Sequence, residues 1–188
     1  MGRMMWTTDA MHVAYCQYFL YGPELPDGWD AHALDRLFHG NGVASGCPDH
    51  LTVLCGTHTG LIRLGVEGCA RRPAEPGPEW ESAVELSLHS SGELRLRAWD
   101  GVDVEGPGNL AHAGPGWYRV RVQTRGRDRG READTAARPV EEHRLTLWPA
   151  PPSPELVLRV GDLTGRRHHD PRRPAPQPIR PPSARRAA

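Results

Sequence analysis

An antiparallel β-sandwich of about seven to nine short strands, closed by one short helix, is the fold class this sequence predicts. Three observations carry it. Apolar and polar residues alternate with a period of two in segment after segment, the signature of half-buried strands. The 21 glycines and 19 prolines of the 188-residue chain fall between those segments rather than within them. Such residues punctuate an all-β chain with many turns. Finally, only one segment has a helical period.

Taken in order, residues 11–21 (MHVAYCQYFLY) are the most apolar N-terminal stretch, yet they carry His12, Gln17 and three tyrosines, and no small-residue cleavage site follows. The stretch is neither a signal peptide nor an anchor. Asp30 to His39 places Ala33, Leu34, Leu37 and Phe38 on one helical face, with Asp30 as N-cap and Gly40 as a stop, and predicts the short helix. His50 to Thr57 and Gly60 to Glu67 read as a hairpin, with Leu51, Val53 and Cys55 inward on the first strand and Ile62, Leu64 and Val66 inward on the second.

A second hairpin is predicted from Trp80–Leu88 and Gly92–Trp99 about the turn His89-Ser-Ser-Gly92. Val84, Leu86 and Leu88 point inward while Glu81, Glu85 and Ser87 face water, and Glu85 lies opposite Arg95 or Arg97 according to register. Trp117–Gln123 directs Tyr118, Val120 and Val122 inward and Arg119 and Arg121 outward. Residues 124–140 read as a long, polar, mobile loop. Strands at 143–148 and 156–160 complete the set. Residues 166–188, rich in arginine and proline with one large aliphatic residue, Ile179, read as a disordered tail on a body of residues 1–165.

The charge balance is 23 acidic against 23 basic side chains, and every basic one is arginine. Mechanisms that require a lysine amine, such as Schiff-base chemistry or the P-loop lysine, are therefore excluded. Neutrality also conceals a split: the tail carries seven arginines and one acid, which leaves the body six negative charges in excess. No apolar run approaches the roughly 18 residues of a membrane span. A cytoplasmic location follows, with Cys16, Cys47, Cys55 and Cys69 as thiols rather than a disulfide framework.

Chemistry-bearing patterns are sparse. Cys47-x2-His50 and Cys55-x2-His58 have the residue types of a tetrahedral zinc site, the basis of an alternative reading as a zinc-binding β-domain enzyme. An eight-residue strand between the two histidines spans roughly 25 Å, however, and Cys55 shares a face with Leu51 and Val53, so a core thiol is the preferred reading and no cofactor is expected. Gly40-Asn-Gly-Val-Ala-Ser-Gly46 lacks the spacing and the preceding strand of a dinucleotide loop. His89 beside Ser90 and Ser91 sits in a turn, His112 in a Gly/Pro loop, and Glu79, Glu81 and Glu85 on a strand face; none has triad or glycosidase geometry. Arg119, Arg121, Arg125, Arg127, Arg129 and Arg131 alternate beside Trp117 and, with the tail, support a second alternative, a nucleic-acid-binding module.

Tyr15-Cys-Gln-Tyr-Phe in the first strand, Gly56-Thr-His-Thr-Gly60, Gly114-Pro-Gly-Trp-Tyr-Arg-Val-Arg-Val122 and Leu145-Thr-Leu-Trp-Pro149 together resemble the ComJ-like family of competence nuclease inhibitors and its relatives from GC-rich bacteria. The resemblance spans roughly residues 12 to 160. It implies a non-enzymatic β-sandwich that binds and restrains another protein, in the founding case a DNA-entry nuclease. An acidic body suits that expectation, because it speeds encounter with a basic cleft. The expected function is thus a non-catalytic, inhibitor-like or immunity-like protein binder. Its expected contact surface is the acidic loop of Asp100, Asp103 and Glu105 beside Trp99, since an exposed aromatic next to charge makes a good anchor.

Overall fold

The structure, a computed structural model, describes residues 4–23, 40–169 and 172. The helix expected over residues 30–39 and most of the expected tail lie outside the described residues. Along the chain run β1 (Met4–Val13), β2 (Gln17–Tyr21), β3 (Ala44–Cys47), β4 (His50–Leu54), β5 (Thr59–Gly68), β6 (Ser82–Ser90), β7 (Arg95–Arg97) and β8 (Gly116–Arg125). There follow α1 (Arg127–Ala133), β9 (Thr135–Ala136), β10 (Glu142–Pro149), β11 (Leu156–Val160) and α2 (Leu163–His168). The larger sheet has the order β1-β5-β10-β8-β6-β11, with β9 added beside β5; the smaller has the order β3-β4-β2-β7.

Both sheets contribute to one core. Tyr18, Leu20, Leu51 and Val53 come from the smaller sheet, and Ile62, Leu64, Leu86, Val120, Val122 and Leu145 from the larger. The faces of Leu51, Val53, Ile62, Leu64, Leu86, Val120 and Val122 are those expected from two-residue alternation, and the ladder pairs them: Val84 and Leu145 flank Val122, and Leu86 and Leu147 flank Val120. Burying each such side chain contributes about 1.5–3 kcal/mol.

Partners differ from expectation where a face pattern cannot specify them. β10 and β9 run parallel to β5, so the larger sheet is mixed rather than wholly antiparallel. β6 and β7 form no hairpin. β7 pairs with β2 in the smaller sheet, while the turn between them carries the chain from one sheet to the other. β4 and β5 are divided between the sheets in the same way. The first strand expected to include Tyr15-Cys-Gln-Tyr-Phe begins only at Gln17: Tyr15 and Cys16 separate β2 from β1, which precedes them and has no counterpart among the expected strands.

The charged face of β6 and β8 is covered, not solvated. Glu85 lies opposite Arg121 rather than Arg95 or Arg97. Arg121 is 1% exposed and Glu85 2%. Arg121 donates to Glu85 through Nε at 2.9 Å and Nη2 at 2.7 Å, and through Nη1 to the Ala74 carbonyl. Arg72, from the 69–79 segment that lies over this face, adds an ion pair to Glu85 at 3.1 Å. Arg119 is spent on Ser87 and the carbonyls of Ser153 and Glu85.

The expected mobile loop after β8 contains α1 and β9. Arg127, fully buried, donates to the Gly42 carbonyl at 2.8 Å and to Asp162 at 2.7 Å. Asp162 also caps α2 by accepting from Gly165 N–H at 2.6 Å, and Asp128 accepts from Leu163 N–H, Thr164 N–H and the Thr164 hydroxyl. These bonds lace α1 to α2. A charged segment reads as solvated only while its pairs are invisible. α2 runs past the boundary expected at residue 165, and His169 then bridges to Gly40 and Asn41.

Candidate interaction surface

At one end of the smaller sheet, β1 turns into β2 through Tyr15 and Cys16, whose φ angles are 53° and 59°. Two successive positive φ values let the Gln17 N–H reach the Ala14 carbonyl at 3.3 Å, as a tight primed turn requires. Asn-Gly is the usual sequence for such a turn. Here residues with side chains adopt it, at a cost of roughly 1–2 kcal/mol each.

Neighbouring backbone holds the strained turn. Cys16 N–H donates to the His58 carbonyl at 3.1 Å, and the Cys16 carbonyl accepts from Cys55 N–H at 2.8 Å. The 55–58 segment is itself clamped from inside. Glu141 accepts from Gly56 N–H at 2.9 Å, Thr57 N–H at 2.8 Å and the Thr57 hydroxyl at 2.8 Å. His143 Nε2 lies 2.7 Å from Glu141, and its Nδ1 lies 3.1 Å from the Tyr18 hydroxyl. One tautomer serves both contacts, with Nε2–H donating to Glu141 and Nδ1 accepting from Tyr18. Burial pushes the Glu141 carboxyl up, but the hydrogen bond from His143, with those from the Thr57 and Gly56 N–H groups, outweighs it and leaves the carboxyl below its ordinary value. Gly56 has no alternative, because a Cβ there would collide with the Arg127 carbonyl.

What the clamp presents is aromatic. Tyr15 is 58% exposed and stacks on Trp99, 43% exposed, with ring centroids 4.3 Å apart and planes 33° apart. His58 adds a third ring 5.5 Å from Tyr15. Beyond Trp99, the loop exposes Val102, at 60%, together with Asp100, Asp103 and Glu105. Asp100 accepts from Val102 N–H at 3.1 Å, and Asp103 pairs with Arg97 at 2.6 Å. The four residues expected on the contact surface are each exposed, in the segment that follows this aromatic group. Tyr15, which the sequence reading placed inside a strand, is the centre of that group; with no glycine or asparagine in the turn, nothing in the sequence marks it.

The Cys47, His50, Cys55, His58 quartet is not assembled. His50 opposes Cys47 across β3 and β4, buried against Tyr21 with ring centroids 5.3 Å apart, and burial lowers its pKa to about 4. Cys55 lies five residues further along the same strand direction, roughly 17 Å away at 3.4 Å per residue. Among the described residues, ligand-type side chains do gather at Cys55, Glu141 and His143, within 4.8 Å of one another and all buried. The Glu141 and His143 atoms are committed to hydrogen bonds, and burial, with the Glu141 charge, pushes the Cys55 thiol well above its usual value. The group acts as a structural clamp. Glu141 and His143 sit in line with Leu145 and Leu147 on the inward parity of β10, a legible sign of a buried polar network. His112 lies 3.2 Å from the Leu110 carbonyl and 3.1 Å from the Cys69 carbonyl.

The arginine stripe is likewise dispersed. Arg119, Arg121 and Arg127 are buried, Arg125 pairs with Glu142 at 2.6 Å, and only Arg129 and Arg131 of the six are exposed.

A two-sheet, mostly β domain with an exposed aromatic and acidic end is thus defined. Two solved structures share the fold. "Crocagin biosynthetic gene J" superposes with a TM-score of 0.53 at 16% identity, covering 79% of this chain and 99% of that one. ComJ, inhibitor of the DNA degrading activity of NucA, from Bacillus subtilis, superposes with a TM-score of 0.50 at 9% identity, covering 78% and 99%. The resemblance to ComJ expected from the sequence is therefore present as a likeness of fold. No family model and no curated protein sequence matches the chain.

Proposed function

We propose that this chain is a non-catalytic, protein-binding domain that acts as an inhibitor or immunity protein, restraining a nuclease or a comparable effector. The observation that carries the proposal is the exposed Tyr15–Trp99 stack, held by a strained turn and bordered by Asp100, Asp103 and Glu105. Strain retained under an exposed aromatic pair supports a functional role for the pair, because strained backbone and grouped exposed apolar side chains both concentrate at interaction sites. Aromatic anchors beside charge suit a protein partner, and acidic side chains suit a basic cleft such as a nuclease presents. The ComJ-like fold supports the same choice of partner.

A cytoplasmic location is part of the proposal. No helix among the described residues is long and apolar enough to cross a membrane. The test is capture from the native host by the full chain and by its Trp99→Ala variant, followed by assay of the captured protein for nuclease activity. A stoichiometric partner held by the parent chain, lost by the variant and inhibited when bound supports the reading. Equal capture by both chains removes it.

A further inference from the structure

We infer that the aromatic and acidic end of the smaller sheet is a docking site for the chain's own C-terminal segment, residues 173–188, so that the protein covers its contact surface in cis. The surface is the one named above, but the inference stands without any partner.

Topology supplies the first argument. In the order β3-β4-β2-β7, the start of β3, the end of β4, the start of β2 and the end of β7 lie at one end of the sheet. Extending the register places Val43, Leu54, Gln17 and Trp99 in one row, since Gln17 opposes Leu54, Leu54 N–H bonds to the Val43 carbonyl, and Phe19 opposes Arg97. The body ends beside the first member of that row, because His169 bridges to Gly40 and Asn41. Three strand spacings of about 4.8 Å separate this exit from Trp99, roughly 15 Å in all. Sixteen further residues in an extended, proline-rich form reach roughly 50 Å. The described body therefore ends on the correct edge, the chain beyond it is long enough, and tethering would give that segment a high effective concentration at the stack.

Chemistry supplies the second argument. Residues 173–188 hold Arg173, Arg180, Arg185 and Arg186, five prolines and no acid. Proline-rich segments dock on exposed aromatic rings because the polyproline conformation has little entropy left to lose. Tyr15 and Trp99 supply such rings, and Asp100, Asp103 and Glu105 line the adjoining loop with carboxylates for the guanidinium groups. Opposing this charge nearby are Arg97, already paired with Asp103, and Arg131. Segment and surface are thus complementary in shape preference and in sign.

Amide correlation spectra of the full chain and of a chain ending at Arg172 test the inference. Truncation is expected to move the signals of Tyr15, residues 99–105 and the Trp99 indole, the last assigned with Trp99→Phe, and to leave the β8 signals unchanged. A peptide of residues 173–188 added to the shortened chain is expected to restore those signals. Asp100→Asn with Glu105→Gln is expected to weaken that peptide roughly tenfold, as is raising salt from about 50 mM to about 500 mM, which screens exposed pairs. Should the shortened chain fold poorly, the full chain with all four tail arginines changed to Gln decides, since its spectrum should show the same displacement. No displacement at the stack, displacement confined to another face, or shifts that vary with protein concentration and so report a second copy, each overturn the inference. Because no partner is present, a negative result leaves the proposed function standing, while failure of Trp99-dependent capture leaves this inference standing.

Discussion

The covered face of β6 and β8 and the open end of the smaller sheet invert the usual rule in opposite directions. On the first, alternation placed Glu85, Arg119 and Arg121 outward, and they are buried. At the second, the motif that carries the family resemblance placed Tyr15 in a strand, and it stands in water. The ionic group under the 69–79 segment satisfies itself and offers nothing to a ligand. The aromatic stack is strained and exposed, and it is maintained by a buried network with no other visible task. The contrast separates residues that make the protein fold from residues proposed to bind a partner.

The largest effect belongs to the covered face. Arg121→Ala leaves Glu85 buried with its closest charge partner gone, and should cost about 3–5 kcal/mol, read as a fall in the denaturant midpoint. Partner capture by the fraction that remains folded should be unchanged, which keeps this region on the folding side of the comparison.

Acid sensitivity ranks next. His50 has a pKa near 4 in the fold against 6.5 unfolded, so the unfolded chain takes up the proton first. Stability is complete above pH 6.5 and declines as pH falls towards 4, by about 3 kcal/mol at most. Glu141, also lowered, adds a loss that begins below its ordinary value of 4.5 and continues as pH falls through its folded pKa. His50→Phe should remove the part between pH 6.5 and 4, measured by denaturation across that range.

Glu141→Gln weakens the clamp on Gly56 and Thr57 and should cost about 1–3 kcal/mol. Unlike Arg121→Ala, it should also loosen the Tyr15–Cys16 turn, detectable as faster amide exchange at Cys16 and Cys55, whose N–H groups bond across it. Exchange unchanged at those amides would separate the buried network from the surface it is held to support. The smallest effect on stability is expected from Tyr15→Gly. Relief of positive φ, about 1–2 kcal/mol, offsets the lost stacking, about 0.5–1.5 kcal/mol, so stability stays nearly constant while capture is lost.

The inward faces of β5, β6 and β8 were legible in the sequence because a period of two reports which side of a strand is apolar. It does not report which strand lies alongside, so both expected hairpins failed and the parallel β5–β10 pairing was invisible. Arg127 and Asp128 read as loop for a similar reason: their partners Asp162 and Thr164 lie about 35 residues away, and a charge looks solvated until its counterion is known. The exposure of Trp99, Asp100, Asp103 and Glu105 was legible because a large ring beside acids in a turn-rich segment stands out. Tyr15 was not, because its exposure depends on two backbone angles that Tyr-Cys seldom adopts.

The proposed binding of a protein partner by the Tyr15–Trp99 surface rests on Trp99 as its anchor. The most direct measurement is titration calorimetry of the captured partner against the parent chain and Trp99→Ala, with thermal unfolding of both. For Trp99→Ala the expected result is an unfolding midpoint within a few degrees of the parent and an affinity weakened by roughly 30-fold or more, the loss of about 2 kcal/mol that marks a central aromatic anchor. Equal affinities for two equally stable chains would contradict it.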